Sequence, residues 1–325
     1  MRSDQGNLPM ISHSTTPHSK GKLQLRLRQM RSHFDLFSLS LPGLIYILIF
    51  AYLPMFGVVL AFKKFRYDLG IWNSEWVGLR NFEFFFKSDV AWQISKNTVL
   101  YGISFWIITT AMALIFAILL NELTKRWIKV HQTILFLPHF VSWIIVAYLV
   151  EGFLHHDYGF LNGLLNLFGL EPVSWYRESH WWPYLMNLVS LWKGVGFGTL
   201  IYYAGIMGID PHLYEAARMD GANRRQMALR ITIPMLAPLI VILMILSIGN
   251  IFSADFGLFY FVPKNSVFLY PATDVINTYV YRALTEIGDI GMSAAVGLFQ
   301  AVVGLVLVVS ANYAVRKINE ENALW

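Results

Sequence analysis

The stretch Asp210–Pro234, DPHLYEAARMDGANRRQMALRITIP, is a polar island between two long apolar blocks. Asp210-Pro211 opens a helix, with a capping acceptor followed by proline at the first helical position. Leu213, Ala216 and Ala217 then recur at helical spacing and form a small flat apolar face suited to a groove. Asp220-Gly221 ends that helix, because glycine adopts turn conformations without steric cost. A second short helix is expected through about Ile233, with Pro234 leading into the next apolar block. The segment reads as two short helices on a glycine elbow, lying parallel to a membrane and facing water or a soluble partner.

The flanking composition supplies the membrane. Of 325 residues, 56% are hydrophobic and 14% charged, and the mean hydropathy is +0.50. A soluble chain carries about 25% charged residues, so the deficit makes lipid the solvent. Apolar blocks near 39–62, 98–120, 133–153, 184–206, 232–253 and 290–314 each match the ~20 residues a spanning helix needs. The expected fold is all-α and integral to the membrane, with six spans. Pro138, His139 and Ser142 interrupt the third block. The first block is too long and too far from the start for a cleaved signal peptide and reads as an anchor. The domains expected are a cytoplasmic tail at 1–35, a transmembrane domain at 36–314 and a second cytoplasmic tail at 315–325. The chain has no cysteine, which excludes disulfides and thiolate metal sites.

With six spans, one face collects fifteen Lys and Arg residues, in the tails, the 121–132 loop and the 210–234 segment, against nine on the other face. The positive-inside bias places the richer face, and both termini, in the cytoplasm. The basic balance, with a net charge of +5, is thereby a matter of topology and not of nucleic acid. KGKLQLRLRQMR, 20–31, is a juxtamembrane stretch attracted to anionic lipid headgroups.

Glu215-Ala216-Ala217, Asp220-Gly221-Ala222, Ile231, Pro234 and Pro238, preceded by Leu213-Tyr214, together resemble the "EAA" loop of permease subunits of binding-protein-dependent, ATP-driven importers of the maltose type. Gly78-Leu79-x-Asn81-Phe82, Asn97-Thr98, Trp192-Lys193-Gly194-Val195-Gly196-Phe197 and the closing Lys317–Leu324 extend the resemblance over about 36–325. The last two of these stretches resemble a sugar-importer subgroup whose members often serve fragments of polysaccharides such as pectin or alginate. Arg225 and Ala228 depart from the pattern, standing where relatives often carry large aromatics.

The resemblance implies the type I permease fold of these importers and a bacterial inner-membrane location. It implies a coupling helix, carrying Glu215, Ala216, Ala217, Asp220, Gly221 and Ala222, seated in the cleft of a cytoplasmic ATPase. Glu215 would pair there with a basic residue, and Gly221 would allow close backbone approach. The implied partners are an ATPase dimer that binds the ATP and Mg, an extracytoplasmic sugar-binding protein, and a second homologous permease, since two ATPase sites need two coupling loops. The chain itself needs no cofactor.

An ionisable residue inside a span marks a functional site by default. Lys193 is such a residue, and Ser190, Lys193, Gly194 and Phe197 share a face of the fourth block with Asn187. Ser247 and Asn250 make a narrow polar stripe on the fifth. The family resemblance places a sugar site on these two helices, where hydroxyls and amides bind sugar hydroxyls and Phe197 offers a ring for stacking. Lys193 there suggests an anionic, uronate-type sugar. Interhelical hydrogen bonding is the competing role for Ser and Asn in spans.

The sequence holds no GxxxxGK[ST], HExxH or GxSxG pattern, so neither phosphate cradling nor those hydrolytic chemistries is expected of this chain. His155-His156-Asp157 reads as a solvated loop. Two other readings are weighed. One is a secondary transporter driven by an ion gradient, for which internal repeats and paired broken helices would speak. The other is a membrane enzyme, whose candidate carboxylates Glu151 and Asp255 sit at the edges of the blocks and do not converge.

Overall fold

The computed structural model describes residues 34–318, 320, 323 and 324. The basic stretch 20–31 and the rest of 1–33 lie outside the described residues, as do several positions of the closing tail.

The chain separates into two units, divided at Gly57 and Val58. In the first, α1 (Phe34–Ile47) runs into a π turn, Leu48–Tyr52, and a short helix, Leu53–Met55. The wide turn ends two residues before Pro54. Proline has no N–H for the carbonyl four residues back, and its ring crowds that carbonyl, so a widened turn lets the helix pass through.

The second unit opens with a two-stranded antiparallel ribbon, β1 (Lys63–Lys64) against β2 (Glu75–Trp76). Helices α2 (Arg80–Lys87) and α3 (Asp89–Asn121) follow. Ser88 caps α3, its hydroxyl accepting from the Ala91 N–H at 3.3 Å. Next come α4 (Lys125–Phe136), α5 (Trp143–Leu154), α6 (Phe160–Leu167), α7 (Trp182–Met207) and α8 (Pro211–Met219). Helix α9 (Arg224–Met227) passes through a π turn, Ala228–Thr232, into α10 (Ile233–Gly249). The segment 250–289 holds α11 (Phe256–Phe261) and α12 (Ile276–Arg282), and α13 (Ile290–Ile318) follows.

Among the described residues, four helices are long and apolar enough to cross a membrane: Ser38–Phe62, Asp89–Asn121, Arg224–Gly249 and Ile290–Lys317. The expected third span is not one rod. Lys125–Phe140 and Trp143–Leu154 meet at 99°, and a 3-10 turn, Leu137–Phe140, carries Pro138 at the break. The expected fourth span is α7, whose 26 residues reach about 39 Å at 1.5 Å per residue. Asn187, Lys193 and its glycines make it less apolar than the other four.

The second half of the 210–234 segment also departs from expectation. It is no separate short helix but the first turns of the 26-residue helix Arg224–Gly249. The π turn at 228–232 ends two residues before Pro234, the same accommodation seen before Pro54.

The most extensive helix contact joins α3 to α7. At one end Ala113 and Ala117 pack on Val195, Tyr202, Ile206 and Leu236. At the other, Tyr101, Val146, Trp182, Met186, Leu258 and Phe259 form one buried cluster. Trp182 is fully buried, its indole donating to the Trp175 carbonyl at 2.8 Å. The segment 250–289 is folded around a buried ion pair, Arg282 to Asp274 at 2.5 Å. Tyr176 in this region has its phenol held protonated, its pKa pushed well up by burial and by the nearby Glu151 carboxylate.

Candidate functional site

Helix α8 begins as its sequence dictates. Asp210 accepts from the His212 N–H at 3.0 Å, and Pro211 takes the first helical position. It ends in a paired closure: the Ala222 N–H reaches the Ala217 carbonyl at 2.9 Å, and the Gly221 N–H reaches that of Arg218 at 3.0 Å. This geometry requires a left-handed residue, and Gly221 supplies it at φ +78° with open space around it. Asn223 then starts the next helix with a reciprocal cap, exchanging bonds with Gln226 at 2.8 and 2.9 Å.

The two faces of α8 divide cleanly. Tyr214 and Ala217 are half-buried, and the Tyr214 hydroxyl meets the Thr232 hydroxyl at 2.9 Å. Leu213, Ala216 and Met219 are exposed, Met219 by 88%. The free apolar face is therefore Leu213, Ala216 and Met219, with Ala217 turned inward, contrary to the expected set. The Glu215 side chain is 66% exposed, and its contact is His212 at 3.3 Å. Asp220 and Gly221 are exposed and Ala222 half-buried at the elbow. Arg224, just beyond it, pairs with Glu122 at the end of α3, at 2.8 Å.

The six expected pathway residues do not gather in one place. Phe197, Ser247 and Asn250 line a cleft of about 430 Å³ between α3, α7 and α10. Trp106, Thr109, Thr110 and Tyr202 line it with them. The indole nitrogen of Trp106 is buried and has no partner. Thr109 and Thr110 carry hydroxyls suited to sugar recognition. The signal for this third wall is Trp106-x-x-Thr109-Thr110, polar groups on one face of an otherwise apolar block. Gly194 faces Thr109 across the α3–α7 contact. Ser190 lies a turn earlier, outside the cleft. Asn250 directs one amide donor to the Leu246 carbonyl at 3.1 Å, closing the end of α10.

Lys193 turns away from this cleft. Its Nζ donates to the backbone carbonyls of Pro138 (3.4 Å), His139 (2.9 Å) and Val141 (2.5 Å), at the break in the third span. An ammonium has three donors, so the free cation expected for an anionic sugar is already engaged. The His139 ring stacks on Phe197 at 5.1 Å and on Phe136 at 5.5 Å, joining the break to the cleft.

Comparison with known proteins places this geometry. Residues 96–320 match the family described as binding-protein-dependent transport system inner membrane component. The chain is 37% identical over 327 residues to the polygalacturonan/rhamnogalacturonan transport system permease protein YteP of Bacillus subtilis, covering 99% of both chains. It is 38% identical over 287 residues to protein LplB of the same organism, covering 88% of this chain and 90% of that one. Among solved structures it resembles a chain of a bacterial ABC transporter involved in the import of the acidic polysaccharide alginate. The TM-score is 0.82 at 34% identity, over 90% of this chain and 99% of that one. The family match spans α8 and the cleft alike, and the chain belongs to the inner-membrane permease components of binding-protein-dependent transport systems.

Proposed function

We propose that this chain is one half of the membrane channel of an ATP-driven importer of acidic oligosaccharides. The observation that carries the coupling part is α8: a short helix whose exposed Leu213, Ala216 and Met219, beside an exposed Glu215, are not consumed by the chain's own packing. An apolar face flanked by a carboxylate suits a groove with a basic rim. In this reading a cytoplasmic ATPase dimer binds the ATP and Mg and moves α8. The movement passes through the Arg224–Glu122 contact and through α10 to the cleft, and the sugar crosses unchanged. A second homologous permease supplies the other coupling helix and the facing wall.

The substrate class follows from the relatives. One transports polygalacturonan and rhamnogalacturonan by its name, and the similar solved structure imports alginate, both acidic. A second solved structure, of similar likeness, is the alginate transporter in complex with a periplasmic protein that holds an alginate pentasaccharide. It supports delivery by an extracytoplasmic binding protein. Residues lining the 430 Å³ cleft suit a sugar: Thr109, Thr110, Ser247 and Asn250 offer polar groups, and Phe197 and Trp106 offer rings. The coupling segment and both termini are cytoplasmic in this reading, on the side favoured by the Lys and Arg distribution.

The test is uptake of radiolabelled neutral and uronic oligosaccharides in bacterial cells lacking this subunit, with and without the gene restored. The expected result is restored uptake of uronic oligomers that requires ATP and the binding protein. Uptake that persists without ATP and collapses with the ion gradient would instead establish a secondary transporter.

A further inference from the structure

A helix that stops inside a membrane strands its last carbonyl groups where no water can satisfy them. The third span does this at residues 137–142. Among the described residues, backbone donors around the bend give the Pro138 carbonyl one N–H, from Val141 at 3.2 Å, and give none to His139 or Val141. Those two carbonyls and that of Pro138 are the three that Lys193 reaches from α7. We infer that Lys193 is the cap of this break: a positioning residue that supplies, from a neighbouring helix, the donors the interrupted span lacks, and not a reader of substrate charge.

The approach of the two helices is built for this. Gly196 lies three residues after Lys193, and a Cβ there would overlap the Leu135 carbonyl. Helix α7 therefore rests directly on the backbone of α4, within side-chain reach of the break. The charge is met as well as the donors. The Trp143 ring lies 5.0 Å from the ammonium, a cation–π contact. The indole N–H of Trp143 donates to Asp255 Oδ2 at 2.9 Å, while Asp255 Oδ1 caps α11 through Gly257 and Leu258 at 2.9 and 3.4 Å. The ammonium thus has carbonyls on its donors, a ring on its face and a carboxylate one residue beyond. Nothing remains for a uronate. The same node ties α7, the broken span and the segment after α10, so it sets the positions of elements that line or adjoin the sugar cleft.

The experiment uses the complete importer with its ATPase and binding protein, and the transport arm rests on the importer reading given above. Lys193→Met removes the donors, Lys193→Arg keeps donors and charge, and Lys193→Gln keeps two N–H donors without charge. Import of a neutral and a uronic oligosaccharide of equal length is compared, together with hydrogen–deuterium exchange over residues 137–146. A cap predicts that Lys193→Met lowers both imports by the same factor and speeds exchange at the bend about tenfold or more. Lys193→Arg keeps exchange near the parent level, and Lys193→Gln leaves the uronic-to-neutral ratio unchanged. Loss confined to the uronic sugar in Lys193→Gln, or unchanged exchange in Lys193→Met, overturns the inference. If Lys193→Met does not assemble, the Gln and Arg complexes decide on the import ratio. A parent complex that imports neither sugar refutes the transport reading, while exchange still judges the cap.

Discussion

Arg224, the first residue of α9, holds Glu122 at the C-terminal end of α3 with a 2.8 Å ion pair. The pair bridges the elbow after α8 and, among the described residues, the longest helix. Both side chains are partly solvated, and a solvated pair adds only ~0–1 kcal/mol to stability. In the importer reading proposed above, the pair acts in motion. Glu122→Arg should lower ATP-driven import several-fold while the detergent-purified complex melts within a few degrees of the parent. The reciprocal exchange, Glu122→Arg with Arg224→Glu, should recover most of the import. Failure of the double variant to recover would sever α3 from the coupling path.

Glu215 makes no contact on which the fold depends: its neighbour is His212 on the same helix, and both are largely exposed. Glu215→Ala should leave expression, membrane insertion and thermal unfolding as in the parent. Import should nevertheless fall at least about tenfold, the loss of one charge-assisted contact of ~1.5–3 kcal/mol at a partner surface. Co-purification with the ATPase is the direct measurement, and undiminished co-purification would remove Glu215 from that interface.

Helix α8 is legible in the sequence because its signals are local. Asp210-Pro211 and Gly221 each act within a few residues, and the structure uses both as read. The helix beyond the elbow is not legible in that way. Pro234 looks like a stop, and only the π turn at 228–232 lets the helix continue through it. Pro138 marks the weak point of the third span without disclosing its right-angle bend. Lys193 stands out as an ionisable group inside a span, but its partners are backbone carbonyls more than fifty residues away. Side-chain patterns carry no trace of such a pairing. The α3 wall of the cleft is hidden for a simpler reason: two threonines and an indole do little to dilute an apolar block.

Gly221 is required for its backbone, since a side chain there would meet open space yet would have to hold φ at +78°. A non-glycine residue in that region costs ~1–2 kcal/mol, least for asparagine and most for β-branched residues. Import should therefore fall in the order Gly, Asn, Ala, Val at position 221. Equal activity of Asn and Val would show that the elbow does not keep this conformation in the working complex.

Asp274 and Arg282 form the most buried ion pair among the described residues, with side chains 5% and 11% exposed. Thr278 donates to Asp274 at 2.7 Å, and the Tyr270 ring lies 4.1 Å from the guanidinium. Removing one partner leaves the other charge buried, at ~3–5 kcal/mol. Asp274→Asn should lower the melting temperature of the purified complex by several degrees and loosen the segment 250–289. Asp274→Asn with Arg282→Met, which removes both charges, should be the milder change. Melting curves of the two variants are the check.

The cleft predicts a division between affinity and assembly. Thr109, Ser247 and Phe197 face the same 430 Å³ space from three different helices, and none of these side chains is fully buried in the core. Thr109→Val keeps the shape and removes a hydroxyl; Ser247→Ala does the same on the facing helix. If the cleft holds the sugar in transit, each should weaken transport by about five- to thirtyfold, the ~1–2 kcal/mol of a lost hydrogen bond to a ligand. ATPase activity stimulated by the loaded binding protein should remain measurable. Phe197→Leu should act more strongly on import, since it removes both the stacking surface and the partner of His139. Wild-type import kinetics in all three would exclude this cleft from the route and direct attention to the other faces of α7.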